Sequence, residues 1–233
     1  MKRLLLLASL IIAFMSISSL SFAQFEKGQL LADGQISFAS SKTVTNPDTI
    51  ATNTTTNTLT SFSFTPSIGK FTSEHVMYGV GVEYDLYTTK DATAGTLSPY
   101  LAKNTHQSIG LRFYTRRYFP LAKNLYFYLD AAFIPAYTFT TENDSSTTTE
   151  QIKTNGFSLG AFLSTGVSYK LGSRWLANAT LPTIVAIDYD HSKQTNTGAF
   201  QGQQTYNSFS VSSGLAGGLF DNITIGFSYL LHK

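Results

Sequence analysis

Cysteine is absent from the whole chain of 233 residues. Disulfide bonds, thiol chemistry and cysteine-based metal sites are therefore excluded. Charged residues are also scarce, at 13% of the sequence, whereas soluble domains average about 25%. A chain with so few charges needs a fold that keeps a large uncharged surface out of water, and it must stabilise that fold without disulfide bonds.

Long hydrophobic runs are missing after the first residues. The chain opens with Lys2 and Arg3, an apolar stretch over residues 4–15 and a small-x-small sequence over residues 21–23, the pattern of a secretory signal peptide. We therefore expect a cleaved signal peptide over residues 1–23 and one domain over residues 24–233. No later stretch has the roughly 20 apolar residues of a spanning helix. This leaves two main classes, a secreted soluble β-sandwich and a membrane β-barrel.

An excess of charge of either sign is missing as well. Without Lys2 and Arg3 the chain has as many basic as acidic residues, so nothing favours a nucleic acid partner. The four histidines show no metal-ligand spacing, and no loop has the regular acidic spacing of a calcium site. We expect no metal and no cofactor.

What the sequence has instead is alternation of apolar with small or polar residues, which is the period of a β-strand. Between Val76 and Tyr87, valine, tyrosine and leucine alternate with glycine and acidic residues. The same alternation predicts eight strands, at about 30–41, 60–71, 75–88, 106–119, 124–140, 156–170, 174–190 and 207–231. Several exceed the usual strand length of about 5–6 residues, as the tilted strands of a transmembrane barrel do.

Short and long connections alternate along the chain. The sequence predicts short turns at Thr72–Glu74, Pro120–Lys123 and Leu171–Ser173, and long polar loops at 42–59, 89–105, 141–155 and 191–206. This order is typical of a membrane barrel with its turns on the periplasmic side and its loops outside. We predict an all-β fold, an eight-stranded antiparallel transmembrane up-and-down β-barrel, in which residues 214–221 form a bulge rather than an extra hairpin.

The face opposite the apolar one carries glycines and charges, and we assign it to a narrow lumen. Ions held away from bulk water need partners, and acids and arginines of opposite charge share this face. We therefore predict a buried, hydrogen-bonded lumen charge cluster that acts as a plug, with an ion path as the alternative. Its members are Glu83, Asp85, Arg112, Arg116 and Asp130.

Aromatic residues concentrate near the short turns. Rings of this kind anchor membrane proteins at the level of the lipid headgroups. We predict an aromatic girdle consisting of Tyr118, Phe119, Phe127, Trp175 and Tyr229.

Two hairpins and the last strand resemble a known family. The segments SFSFTPSIGKFTSEHVMYGVGVEYDLY (61–87), IGLRFYTRRYFPLAKNLYFYLDAAF (109–133) and NITIGFSYLLHK at the end are similar to hairpins of small outer-membrane β-barrel proteins of Bacteroidota, which are OmpA-type and porin-like. The resemblance implies an eight-stranded barrel in the cell outer membrane, without defined catalytic residues and with a structural, adhesive or porin-like role.

Catalysis has one candidate in the sequence. His106 and Ser108 share a strand face, as a lipid A-modifying hydrolase would need, but their parity points away from lipid and no carboxylate is evidently placed to orient the histidine. We therefore expect no enzymatic activity and no catalytic residues. The expected partners are outer-membrane lipid and lipopolysaccharide, the outer-membrane assembly machinery and an unknown extracellular ligand. A narrow porin-like channel and a loop-based adhesin stay open as alternatives.

Overall fold

The computed structural model describes residues 25–45, 54–94, 100–144, 150–196, 202–213 and 223–231. The expected signal peptide and the expected bulge at 214–221 lie outside these ranges. The described residues form ten strands: β1 (Leu30–Thr45), β2 (Thr54–Phe71), β3 (Val76–Ala94), β4 (Tyr100–Ala122), β5 (Leu125–Asp144), β6 (Glu150–Lys170), β7 (Trp175–Thr180), β8 (Val185–Asn196), β9 (Gly202–Ser212) and β10 (Thr224–Leu231).

Every pairing between neighbouring strands is antiparallel. Strands β1 to β7 follow one another around a ring, and β10 closes it by pairing with both β7 and β1. The predicted all-β, eight-stranded antiparallel barrel is confirmed as a fold. Among the described residues no helix is long and apolar enough to cross a membrane.

The last two predicted strands are each divided. β7 and β8 replace the single strand expected at 174–190, and both pair with β6. Between them, the backbone nitrogens of Leu181 and Ile184 donate to the carbonyl oxygens of Thr165 and Leu163. The chain therefore leaves regular pairing for four residues without losing its contact with β6. We call the end of the barrel with the predicted short turns the lower end and the opposite end the upper end. β9 pairs with β8 toward the upper end, and β10 pairs with β1 toward the lower end.

The strands are longer than the alternation predicted. Residues 42–45, 54–59 and 89–94 were expected to be loop and lie in strands β1, β2 and β3. These three segments are rich in threonine, a β-branched residue that favours extended backbone. Each continues the pairing of its strand with the neighbouring strand. The turn expected at Pro120–Lys123 is also displaced, because β4 runs through Pro120 to Ala122 with a register shift there.

Glycines on the lumen face make room for large neighbours. A Cβ at Gly79 would collide with the ring of Tyr114, and one at Gly166 would collide with the ring of Tyr128. At Gly166 the added atom would also lie 2.5 Å from the carbonyl oxygen of Ala179, which belongs to the backbone and cannot turn away. Gly166 is therefore required for close approach.

We expect Gly166→Val to lower the free energy of unfolding by about 1–3 kcal/mol, the usual cost of overpacking. Urea unfolding in lipid vesicles, followed by the fluorescence of Trp175, measures it. The matched control is Gly34→Val, because a Cβ at Gly34 meets nothing within 4 Å. Equal losses in the two variants would contradict this explanation.

Candidate functional site

Arg116 is the centre of the lumen cluster. Its side chain is fully buried, at 0% exposure. Its Nε donates to Asp130 Oδ2 over 2.8 Å, and its Nη1 donates to Asp33 Oδ2 over 3.0 Å and to the Tyr118 hydroxyl over 3.4 Å. A fully buried guanidinium that is paired with two carboxylates meets the condition under which a charge can leave water.

Strand register and barrel closure bring these groups together. Arg116 and Asp130 are direct partners across β4 and β5, so their side chains leave the sheet on the same face. Asp33 lies on β1 and is 83 residues away from Arg116 in the sequence. The contact between Asp33 and Arg116 therefore crosses the lumen and depends on the ring being closed.

A second arginine enlarges the cluster on the upper side. Arg112 forms an ion pair with the other oxygen of Asp130, so this carboxylate lies between two guanidinium groups. The guanidinium carbon of Arg112 lies 4.8 Å from the ring centroid of Tyr114, and that of Arg116 lies 4.5 Å from the ring of Tyr128. Both arginines thus combine ion pairs with cation–π contacts, which strengthen when water is excluded.

Asp33 connects the cluster to the closing strands. Its Oδ1 accepts from the Ser228 hydroxyl over 2.8 Å and from Asn178 Nδ2 over 3.3 Å. Asn178 in turn donates to Ser228 and accepts from Ser168. The network therefore joins β1, β4, β5, β6, β7 and β10 through side chains that are nearly all buried.

Below the cluster, packed aromatic rings form a floor. Phe25 precedes the first strand and stacks on Phe71 with ring centroids 4.4 Å apart. It also contacts Tyr118 at 4.8 Å and Tyr126 at 5.1 Å. Gly28, with a φ of 89°, adopts the left-handed conformation that lets the chain pass from this floor into β1.

Above the cluster lies a cavity of about 290 Å³. Its lining includes Arg112, Arg116, Asp130 and Glu83 together with several threonine and serine residues. The Nη2 group of Arg116 has no hydrogen-bond partner among the described residues. The lumen is therefore polar and open above the arginines, whereas it is filled with side chains at their level and below.

The structure brings Arg112, Arg116 and Asp130 into direct contact. Glu83 and Asp85 face the same lumen from β3, where Glu83 is paired with Gly110 and Asp85 with Ser108. Both lie above the ion pairs, and Glu83 lines the cavity. Neither has an ion pair within 4.0 Å in the described part of the chain. Asp33 and Phe25 were not predicted from the sequence, although the parity of Asp33 on its strand indicates an inward side chain.

One of the five predicted girdle residues was wrongly assigned. Tyr118 has 1% exposure and points into the lumen, because it shares parity with Arg116 on β4. Phe119 and Phe127 contact each other on the outer face at 6.0 Å. Trp175 and Tyr229 form a second outer pair at 4.9 Å, and Arg174 Nη1 donates to the Tyr229 hydroxyl over 3.0 Å.

His106 and Ser108 lie on the lumen face of β4 near its upper part. His106 Nδ1 is 2.8 Å from the Thr140 hydroxyl on the neighbouring strand, so this hydrogen-bond partner is neutral. Within the described ranges no group of three histidine, aspartate or glutamate residues has the arrangement to hold a metal ion. Asp85 is the strand partner of Ser108 on β3.

Comparison with known proteins identifies no family. No protein-family model and no curated protein matches the chain. Among solved structures, the chain is similar to the outer membrane protein OprG from Pseudomonas aeruginosa, with 15% sequence identity over 91% of this chain and 100% of that one, at a TM-score of 0.40. A TM-score this low carries no argument about the fold, so the assignment of a barrel rests on the strand pairing of the chain itself.

Proposed function

We propose that the chain is an integral outer-membrane β-barrel with a structural or surface-interaction role and a charge-plugged lumen. The observation that carries the proposal is the apolar outer face. Large apolar side chains are 40–60% exposed on strand after strand, including Val80, Phe113, Phe133, Phe157 and Ile225. A continuous exposed apolar surface of this extent is unfavourable in water and favourable in lipid.

The upper parts of the strands support a surface role. β4 has 23 residues and β6 has 21, whereas about 9–11 tilted residues cross the hydrocarbon core. The outward residues of β3 change from Leu86 to Thr88 and Lys90, and those of β4 from Ile109 to Gln107 and Lys103. We infer that this polar rim stands outside the bilayer, where it presents the connecting loops to lipopolysaccharide or to an extracellular ligand.

The plug distinguishes this proposal from a porin-like channel. A conducting lumen needs a continuous water path, and the buried cluster of Arg116 with the rings around Phe25 occupies the lower half. An adhesin function is the other alternative, and the polar rim favours it over catalysis. Replacing residues 46–53, which connect β1 to β2, with an unrelated polar sequence and measuring adhesion would test this alternative without shortening either strand.

Cell fractionation and planar-bilayer recording together test the proposal. We expect the chain in the outer-membrane fraction, extractable only with detergent, since water would otherwise contact its apolar band. We expect the purified barrel to give no stable conductance steps, because the lower lumen is filled. Recovery in the soluble fraction would refute the membrane assignment, whereas stable conductance would refute the plug and favour the channel.

A further inference from the structure

Five lysines lie on the outward face of the upper strands. All are exposed, and each has the strand parity opposite to that of the lumen residues. They are Lys42 on β1, Lys90 on β3, Lys103 on β4, Lys153 on β6 and Lys193 on β8. We call this set the lysine rim.

Two members of the lysine rim face each other directly. Lys90 and Lys103 are partners across β3 and β4, so their Cβ atoms are about 5 Å apart and on the same face. Lys42 lies in the same row, because Thr58 pairs with both Lys42 and Lys90; two strand spacings place it about 10 Å from Lys90. Like charges directly opposite each other are destabilising, so an anion bound to this row would relieve a repulsion.

The chain's own acids do not provide that anion. All acidic side chains described on these upper strands have inward parity: Glu83, Asp85, Asp91, Glu142, Asp188 and Asp190. Two of them bond to inward amides, since Asn57 donates to Asp91 and Asn104 donates to Glu142. Within the described ranges no lysine of the rim has a carboxylate within 4.0 Å. The two signs of charge are therefore separated by the barrel wall.

The position of the lysine rim indicates where the anion comes from. On β3 the last large apolar outward residue is Leu86, and Lys90 follows four residues later, which is about 13 Å along a tilted strand. This distance takes the ammonium groups out of the hydrocarbon band and into the headgroup layer. A phosphate monoester carries about −1.5 to −2 charges, enough to neutralise two lysines at once.

We propose that the Lys90–Lys103 pair, flanked by Lys42, binds the phosphate groups of lipid headgroups in the outer leaflet. This inference rests on the proposed membrane function and adds to it a specific lipid contact. It assigns the separated charges distinct roles: the outer lysines hold the barrel to phosphorylated lipid, and the inner acids stay with the lumen.

Thermal unfolding with defined lipids tests the inference. The full chain is folded in detergent micelles, and its melting temperature is read from heat-modified gel mobility with added lipopolysaccharide, with dephosphorylated lipopolysaccharide, or with inorganic phosphate. We expect only the phosphorylated lipid to raise the melting temperature. Lys90→Gln/Lys103→Gln should be at least as stable as the parent without lipid, because a repulsion is removed, yet lose roughly half or more of the lipid-induced rise.

The matched control is Lys70→Gln/Lys123→Gln, which removes the same charge from exposed lysines at the opposite end of the barrel. It should keep the full rise. An equal rise with dephosphorylated lipid, or an unchanged rise in the Lys90/Lys103 variant, would overturn the inference. A rise with inorganic phosphate alone would overturn its assignment to lipid. Failure of the membrane proposal would show separately, as soluble recovery during fractionation.

Discussion

Replacing Arg116 with methionine is expected to lower the free energy of unfolding by about 3–5 kcal/mol, the cost of removing one partner from a buried ion pair. Asp33 would lose its cationic partner, and Asp130 would keep only Arg112. The methionine would fill part of the space without meeting either charge. Urea unfolding of the folded barrel in lipid vesicles, followed by the fluorescence of Trp175, measures the change.

Arg117 provides the matched control on the next residue. Its side chain points outward, is exposed and lies 5.2 Å from the ring centroid of Phe119, so we expect Arg117→Met to change stability by less than about 1 kcal/mol. The combination Arg116→Met/Asp33→Asn should cost less than the sum of the single changes, because the second change removes the charge left unpaired by the first. Additive losses would contradict the direct ion pair.

Replacing Phe25 with alanine is expected to cost about 3–5 kcal/mol, as for other buried phenylalanines. Phe25 has 2% exposure and packs against Phe71, Tyr118 and Tyr126, so its loss leaves a hole in the floor of the lumen. The same vesicle unfolding assay measures the stability. Solvent access to the floor can be followed by hydrogen exchange at the backbone amide of Phe71, which donates to Gln29.

Phe38→Ala is the control for this change, because Phe38 lies on the outer face of β1 with 70% exposure. It should cost clearly less than Phe25→Ala and should leave exchange at Phe71 unchanged. If Phe25→Ala lowered the free energy of unfolding no more than Phe38→Ala, the packing of Phe25 in the floor of the lumen would not stabilise the barrel.

Residue parity was enough to predict the faces of the strands. The inward arginines and the glycines that accommodate Tyr114 and Tyr128 follow from a period of two, and the ring order follows from the alternation of short and long connections. Tyr118 has the same parity as Arg116, which points inward. Its position next to a turn suggested the lipid-facing girdle instead. In the structure Tyr118 packs against Phe25 in the floor of the lumen.

Contacts across the lumen could not be predicted in the same way. Asp33 meets Arg116 only because the sheet closes, and a one-dimensional pattern does not state which residues face each other across a ring. Phe25 lies before the first strand and has no alternation to reveal its role. The strand ends were underestimated because threonine-rich segments such as 54–59 resemble loops in composition, while their pairing partners make them strands.

The upper wall has a consequence for local stability. In the described residues, β1 is bonded on both sides only from Leu30 to Ile36, and above that level it pairs with β2 alone. β9 likewise has β8 as its only described neighbour. We therefore expect amides on these two edges to exchange with solvent faster than amides of the closed ring, because they can open without disrupting its pairing. Hydrogen exchange would separate a lower part of the barrel, which opens as one unit, from upper edges that open on their own.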